Sequence, residues 1–526
     1  MSLIREPRSY DAVLREFSWD KLWALFDGDK SRMNIAHECL DRHRHRGHAI
    51  SVKFADGHSE HYGFTELSDF TARFANWLAR RGIAKGERVA IIVEPSRAFY
   101  VGLFGALKYG AIAVPLFTLF GPEGLALRLD DCTPRLILTQ GDPGTLRKRY
   151  PKAQVVPVDG AFWAELGAES LDFTPDTSAS DAAIFQYTSG TTRELPDAVR
   201  QSHRAVVTLM IAALYGLGLR EADRYFCPSS PAWGHGLSHG TLAPLALGIP
   251  TASYSGKFDV LRIFEALREF RIDNVAAAPT VFRMMRNSGL IESYPVRLKK
   301  VSYTGEPMDA DTASWIEHAL GTVPCSMYGS TEVGVIIVNF PGLEGYHPKQ
   351  GALGKAAPGW QVAVIDQEGR ELAPLVTGEI AVRRKDAWFR VKDLGHRDEE
   401  GYFHHAGRSD DVIISAGWTM SALEIEATLM KHPSVLEAAV VGAPDAVRGQ
   451  VPKAYIVARE PRSGIVEDIQ SFMKRVLSQH EYPRQIEFVE ALPKTPAGKI
   501  NRKALRDLAA AGQNLKEDNN VIHPAT

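Results

Sequence analysis

The sequence predicts an α/β fold: a large N-terminal domain with parallel-sheet α/β subdomains plus a small β region, and a small α+β C-terminal domain. Three observations carry this. Strand-length apolar runs alternate with helical patterns as far as Gly334. Beyond it, apolar and polar residues alternate between turn signals. From about Asp410 a fresh set of strands and helices begins. Strands alternating with helices favour a parallel sheet, because a parallel return needs a long crossover that a helix supplies.

The elements follow in order. Arg88–Val93 (RVAIIV) is an apolar strand, and Ser96 opens a helical pattern that runs to Tyr109. Ala111–Leu116 and Leu136–Leu138 are two more buried strands. The alternation resumes with strands at Ala182–Tyr187, Asn274–Ala277, Lys299–Tyr303 and Val323–Met327. Helical stretches at His203–Leu214, Val260–Phe270 and Asp309–Leu320 separate them. Val362–Asp366 and Glu379–Val382 have the period-two pattern of half-buried antiparallel strands, with turns at Gln367-Glu-Gly and Asp398-Glu-Glu-Gly. The last unit has strands at Val412–Ser415, Ala438–Gly442, Lys453–Val457 and Gln485–Val489, and helices at Ala422–Lys431 and Ile465–Gln479. Gln513–Thr526 is polar and reads as a frayed, disordered tail.

A chain of 526 residues has room for three or four structural units. Its 61 basic and 63 acidic side chains give a net charge of −2, which excludes a protein that coats nucleic acid. Cys39, Cys132, Cys227 and Cys325 lie far apart without CxxC spacing, which argues for a reducing compartment and against a disulfide framework or structural zinc. The charged N-terminus lacks a signal-peptide core, and Lys108, Gly110 and Pro115 interrupt the apolar stretch Val101–Gly121. The expectation is a cytoplasmic enzyme.

Four segments carry chemistry. Tyr187-Thr-Ser-Gly-Thr-Thr192 follows a strand and supplies hydroxyls and backbone N–H groups with little bulk, suited to phosphate oxygens. Met327-Tyr-Gly-Ser-Thr-Glu-Val-Gly334 also follows a strand, and its threonine and acid suit a hydrated divalent cation on phosphate. The third is Asp393-Leu-Gly-His-Arg-Asp-Glu-Glu-Gly-Tyr402 with Gly407-Arg-Ser-Asp-Asp411, and the fourth Leu492-Pro-Lys-Thr-Pro-Ala-Gly-Lys-Ile500. Taken singly, the first reads as readily as a Ser/Thr-rich turn, and the others read more readily as a turn with an exposed acid, a charged hairpin and a solvated lysine.

In this order and spacing, the four segments together resemble the adenylate-forming (ANL) superfamily of acyl-CoA synthetases, nonribosomal-peptide adenylation domains and luciferases. The resemblance runs from Asn34-Ile-Ala-His-Glu-Cys-Leu-Asp-Arg-His43 to Lys499 and Asn501-Arg-Lys503. Arg448-Gly-Gln450, Tyr482-Pro-Arg484 and Gly305-Glu-Pro307 look most like acyl-CoA synthetases of the acetyl, medium-chain and aryl-acid group. The resemblance implies a two-step reaction: a carboxylate attacks the α-phosphate of ATP to give acyl-AMP and pyrophosphate, and the thiol of coenzyme A then displaces AMP. It implies that Thr188, Ser189, Gly190, Thr191 and Thr192 hold pyrophosphate, and that Thr331 and Glu332, beside Tyr328, Gly329 and Ser330, handle phosphate and Mg2+. Gly305, Glu306 and Pro307 would line the adenine site, where glycine lets a flat base approach. Asp393 and Arg408 would hold the ribose, and Lys499 would reach the carboxylate and α-phosphate. Residues 1–409 would form the adenylation core and 410–512 a mobile domain hinged at Asp410, bringing Ala416, Gly417 and Trp418 to the CoA channel. The implied partners are a small carboxylic acid, ATP and CoA, with neither nucleic acid nor membrane; a homodimer is compatible.

Two departures stand out. The phosphate loop continues as Thr192-Arg-Glu-Leu-Pro-Asp-Ala198, with Asp197 where the family usually has a lysine; Arg193 could supply the charge from elsewhere. Thr419 stands where acetyl-CoA synthetases commonly have arginine. An enzyme that loads a carrier protein, or a ligand-binding paralogue, are the rival readings. In Ser230-Pro-Ala-Trp-Gly-His-Gly-Leu237, Trp233 and His235 are the expected acyl-pocket walls, with core packing for Trp233 and a turn position for His235 the equal alternative; Gly234 and Gly236 would leave room. The substrate expected is a medium-chain, alicyclic or aromatic acid. His43-Arg-His-Arg-Gly-His48 reads as a solvated loop, and Gly236-Leu-Ser-His-Gly240 as a chance match to a nucleophile elbow, since no strand leads into it.

Overall fold

A computed structural model describes residues 9–118, 120, 122–187, 198–330, 333–408, 412–415, 418–445, 449–459, 464–476, 482–494 and 500–511. By compactness the described residues divide into two units between Gln361 and Val362.

The first unit holds two sheets. One runs in the order Gln154–Pro157, Leu136–Thr139, Arg88–Ile92, Ile112–Pro115, Ala182–Tyr187, Ala198–Ser202. All neighbours are parallel except the last pair. Its central strands are apolar throughout because helices cover both faces. The helix Arg97–Tyr109 is buried along nearly its whole length and ends at Gly110, whose φ of 91° makes the left-handed stop. It packs on the helix Phe64–Arg80, where Phe74 and Trp77 are fully buried. Each such side chain contributes about 1.5–3 kcal/mol by leaving water.

The second sheet places, side by side, Ser59–Gly63, His48–Phe54, Thr251–Ser255, Tyr225–Phe226, Asn274–Ala277, Lys300–Tyr303, Pro324–Ser330, Gly334–Val338 and Ala352–Ala356. From His48–Phe54 to Pro324–Ser330 every pair is parallel. Phe226, Val275, Val301 and Pro324 share one row. Everything that follows these strands therefore leaves the sheet at its carboxyl edge, where open α/β sheets bind ligands.

Two expectations change here. The helices expected at His203–Leu214 and Asp309–Leu320 each begin as α (Ala205–Ile211, Ala310–Trp315) and finish as π (Ala212–Gly216, Ile316–Leu320). A single widened turn shifts the apolar stripe too little to be read from periodicity. The His43–His48 run is solvated only in part: Arg44, His45 and Gly47 are exposed in a turn, as expected, but its two ends differ. His43 is buried with Nε2 against the Ala246 carbonyl at 3.3 Å, and burial pushes its imidazole down to about 4; His48 starts a strand.

The second unit opens with an antiparallel meander of Val362–Ile365, Gly378–Arg384, Ala387–Arg397 and Phe403–Arg408. A second sheet follows in the order Trp418–Ser421, Val412–Ser415, Gly449–Ala458, Val435–Asp445, with Gln485–Phe488 parallel to Gly449–Ala458. Strand alternation splits its core. Ala438 and Val440 pack with Ile425, Ile469 and Met473 of the helices Ala422–Leu429 and Ile465–Val476. Ala439 and Val441 face the other way, onto Leu505 and Ala509 of the helix Arg502–Ala511. Gln513–Thr526 lies outside the described residues. Among the described residues no helix is long and apolar enough to cross a membrane, and all four cysteines are free and buried.

Candidate active site

At the carboxyl edge of the second sheet, two of the expected segments emerge from neighbouring parallel strands. Lys300–Tyr303 runs into Gly305-Glu306-Pro307, and Pro324–Ser330 carries Tyr328, Gly329 and Ser330 at its end. Gly305 and Pro307 are exposed, and Gly305 turns the chain with φ 94°. Glu306 is not idle surface. Its carboxylate accepts from the Thr280 N–H at 2.7 Å and from the Thr280 hydroxyl, capping the helix Pro279–Ser288, whose N-cap, Ala278, has no side-chain oxygen to offer. The two strand ends and this helix start thus form one ledge. Gly329 is required by the hairpin with Gly334–Val338: a Cβ there would lie 1.9 Å from the Gly334 carbonyl oxygen. Beside it, Ser330 Oγ is buried with no hydrogen-bond partner among the described residues. Thr331 and Glu332 lie outside the described residues, as do Thr188, Ser189, Gly190, Thr191, Thr192, Arg193 and Asp197.

Trp233 and His235 follow the strand Tyr225–Phe226 at the same edge. The Trp233 ring meets Phe117 at 5.5 Å and Phe120 at 5.6 Å between centroids and remains partly accessible, so it is both packed and available as a wall. His235 opens a π-helix, His235–Leu242, which also contains the Gly236–Gly240 segment and leaves no strand-to-helix elbow there. A π-helix bonds i to i+5 and has a little over four residues per turn, so residues four apart share a face. His235 and His239 accordingly sit on one face with ring centroids 5.5 Å apart. Burial drives His235 down to about 3, with His239 adding to the shift, and drives His239 down to about 4; both imidazoles are neutral. Gly236 does not provide room, as the sequence reading had it. Its Cβ would fall 2.2–2.3 Å from the carbonyl oxygens of Ser230 and Ser229, so the residue serves close backbone approach. Gly234 does leave space: a Cβ there would meet only the Gln186 amide, at 3.6 Å or more. His239 and Gln186 escaped the sequence reading. The i, i+4 histidine spacing was visible but carried no ligand signal by itself.

In the second unit, Asp393 and Arg408 are direct cross-strand partners, with a bulge immediately after. Lys392, just before Asp393, has a φ of 64°, a re-aiming of the chain common beside functional positions. Asp393 is mostly buried and lies 3.8 Å from His405 Nε2. The Arg408 side chain is not described. Lys499 lies outside the described residues, but its flanks are pinned. Lys494 and Ile500 form a bridge, and the Asn501 N–H donates to the Pro493 carbonyl at 2.7 Å. Arg502 then donates to Glu426, with Nη2 at 2.6 Å from Oε2, and Glu426 also accepts from the Val440 N–H at 2.6 Å. Asp410, Ala416 and Gly417 lie outside the described residues. Trp418 is described only in its backbone, paired with Ser415.

Residues 40–388 match the AMP-binding enzyme family, and residues 424–499 match the AMP-binding enzyme C-terminal domain. The chain is 30% identical to an acetyl-coenzyme A synthetase of Bacillus subtilis (strain 168), over 95% of each chain. It is similar in structure to a Brucella canis acyl-CoA synthetase, with a TM-score of 0.74 and 31% identity over 95% of this chain and 99% of the other. An anthranilate CoA ligase solved in complex with anthranoyl-AMP matches with a TM-score of 0.79 and 25% identity, covering 92% of this chain and 99% of the other.

Proposed function

The chain belongs to the AMP-binding enzyme family and is an AMP-forming acid–CoA ligase that uses ATP and CoA, and we propose that its acid is medium-chain, alicyclic or aromatic. What supports this substrate range is the half-open aromatic wall of Trp233, Phe117 and Phe120 next to Gly234, which suits a larger acid than acetate.

The acid's carboxylate attacks the α-phosphate and pyrophosphate leaves; the CoA sulfur then attacks the acyl carbon and AMP leaves. The first step brings two anions together, so charge neutralisation and alignment lower its barrier more than covalent chemistry does. In our reading Lys499 bridges carboxylate and α-phosphate. Thr188, Ser189, Gly190, Thr191 and Thr192 hold the departing pyrophosphate, and Asp393 accepts from the ribose hydroxyls with Arg408 alongside. The Gly305–Pro307 ledge and Tyr328 face the adenine. The hard oxygen donors of Thr331 and Glu332, next to Ser330 Oγ, which has no partner among the described residues, fit Mg2+, whose chemistry when bound is neutralising phosphate charge. Residues 410–512 swing about Asp410 between the steps, withdrawing Lys499 and presenting Ala416, Gly417 and Trp418 to CoA. The four free, buried cysteines agree with a cytoplasmic location.

The test is to mix the purified protein with ATP, Mg2+ and a panel of acids and to follow pyrophosphate, then to add CoA and follow thioester. Acid-dependent pyrophosphate followed by acyl-CoA is expected. Pyrophosphate without thioester would point to a carrier-protein acceptor, and no pyrophosphate with any acid would refute the ligase reading.

A further inference from the structure

Of the residues 231–249, which form a loop, the π-helix and the turn after it, only Trp233, Gly234, His235, Ser238 and His239 are not buried. They form one face. On this face two ring nitrogens do not reach solvent: His235 Nε2 and His239 Nδ1 are both buried and have no hydrogen-bond partner among the described residues. The amide of Gln186, at the end of the strand Ala182–Tyr187, lies against Gly234, and its Nε2 is likewise buried and unpartnered, although Gln201 donates to its Oε1 at 3.3 Å. Leaving a buried polar atom unpaired is destabilising, because its hydrogen bonds to water are lost and not replaced. Three such atoms on two adjoining elements, beside an aromatic wall, make a site whose hydrogen bonds are completed by something else.

The chemistry of that missing partner is constrained. The imidazoles are neutral, so each offers one donor and one acceptor. Ser229 Oγ lies 3.2 Å from His235 Nδ1 and can donate or accept there, which leaves His235 Nε2 free to take the complementary role. Gln186 Nε2 only donates. A group that both donates and accepts, a hydroxyl or an amino group, satisfies this set; an alkyl chain satisfies none of it. The aromatic wall favours a flat ring as the body that carries the group.

We propose that this recess selects an aromatic monocarboxylic acid bearing a hydroxyl or amino group on its ring, with His235, His239 and Gln186 reading that substituent. The proposal rests on the ligase reading above.

The test compares kcat/KM for acid-dependent pyrophosphate release with benzoate, its hydroxy- and amino-substituted forms, hexanoate and 4-hydroxybutyrate. It uses the full-length protein and its His235→Phe and His239→Phe variants. The native protein is expected to prefer at least one substituted benzoate to benzoate by roughly tenfold or more. In either variant the ratio falls toward one, chiefly through KM. His239→Gln, which keeps a hydrogen-bonding side chain, retains a preference and decides the matter if the phenylalanine variants do not fold. A native ratio near one, a ratio unchanged in the variants, or a preference for the straight-chain acids overturns the proposal while leaving the ligase reading intact. Absence of pyrophosphate with every acid refutes the ligase reading itself.

Discussion

His203 shows how much a single buried side chain holds. It is fully buried, and its Nδ1 accepts the Ile35 N–H at 3.1 Å. Burial lowers it from 6.5 to about 4. The unfolded chain binds a proton there near pH 6.5 and the folded chain does not until about 4, so the stability this group confers is complete above 6.5 and drains away as pH falls toward 4. His43, His235 and His239 act in the same direction. Denaturation followed from pH 7.5 to 4 should show a steady loss of stability. His203→Leu should cost about 1–3 kcal/mol at neutral pH by orphaning the Ile35 N–H, and should flatten the acid limb. In the proposed phosphate loop, Arg193→Ala should raise KM for ATP several-fold if Arg193 replaces the absent lysine; unchanged ATP kinetics would discard that role. Legibility at this scale was uneven. That Asp393 and Arg408 act together was implied only by the family resemblance, and the cross-strand register does place them opposite each other. The duty of Glu306 as a helix cap, the burial of His43 and the backbone-packing role of Gly236 depend on neighbours 26 to 203 residues away or on carbonyls that no local pattern reveals.

The strands of the parallel sheets were legible because they are short apolar runs bounded by turn residues, and Asn274–Ala277 and Val412–Ser415 fall where the pattern put them. The π-helical turns were not, since nothing in residue type marks an i to i+5 bond. The element that follows Lys499 offers a direct test. The helix Arg502–Ala511 is fastened by Arg502 to Glu426, and both side chains are largely buried. Arg502→Met leaves the largely buried Glu426 without its cationic partner, with only the Val440 N–H, among the described residues, to donate to it, at an expected cost of about 3–5 kcal/mol. The double variant with Glu426→Met should lose less than Arg502→Met alone, measured by urea denaturation. Gly329→Ala should disrupt the Pro324–Ser330 hairpin, lowering both the melting temperature and acyl-adenylate formation. An intact melting temperature with full activity would show that the Gly334 carbonyl can move aside.

For the whole molecule, composition gave the class and the four ordered segments gave the family, which the match over 95% of a relative's length bears out. The acid is the least legible part of the sequence, because Gln186, Trp233 and His239, the residues we propose for its pocket, belong to different elements rather than to one motif. The compact division at Gln361 and Val362 also differs from the functional division we place at Asp410, since packing and motion need not share a boundary. What binds the reading together is that Lys499, near the end of the chain, serves the first chemical step and withdraws for the second. The most direct measurement is to assay the two half-reactions of Lys499→Ala separately: acyl-AMP from acid and ATP, and thioester from supplied acyl-AMP and CoA. The expected result is a loss of about a hundredfold or more in the first with the second retained. Equal loss in both, or none in the first, would contradict it.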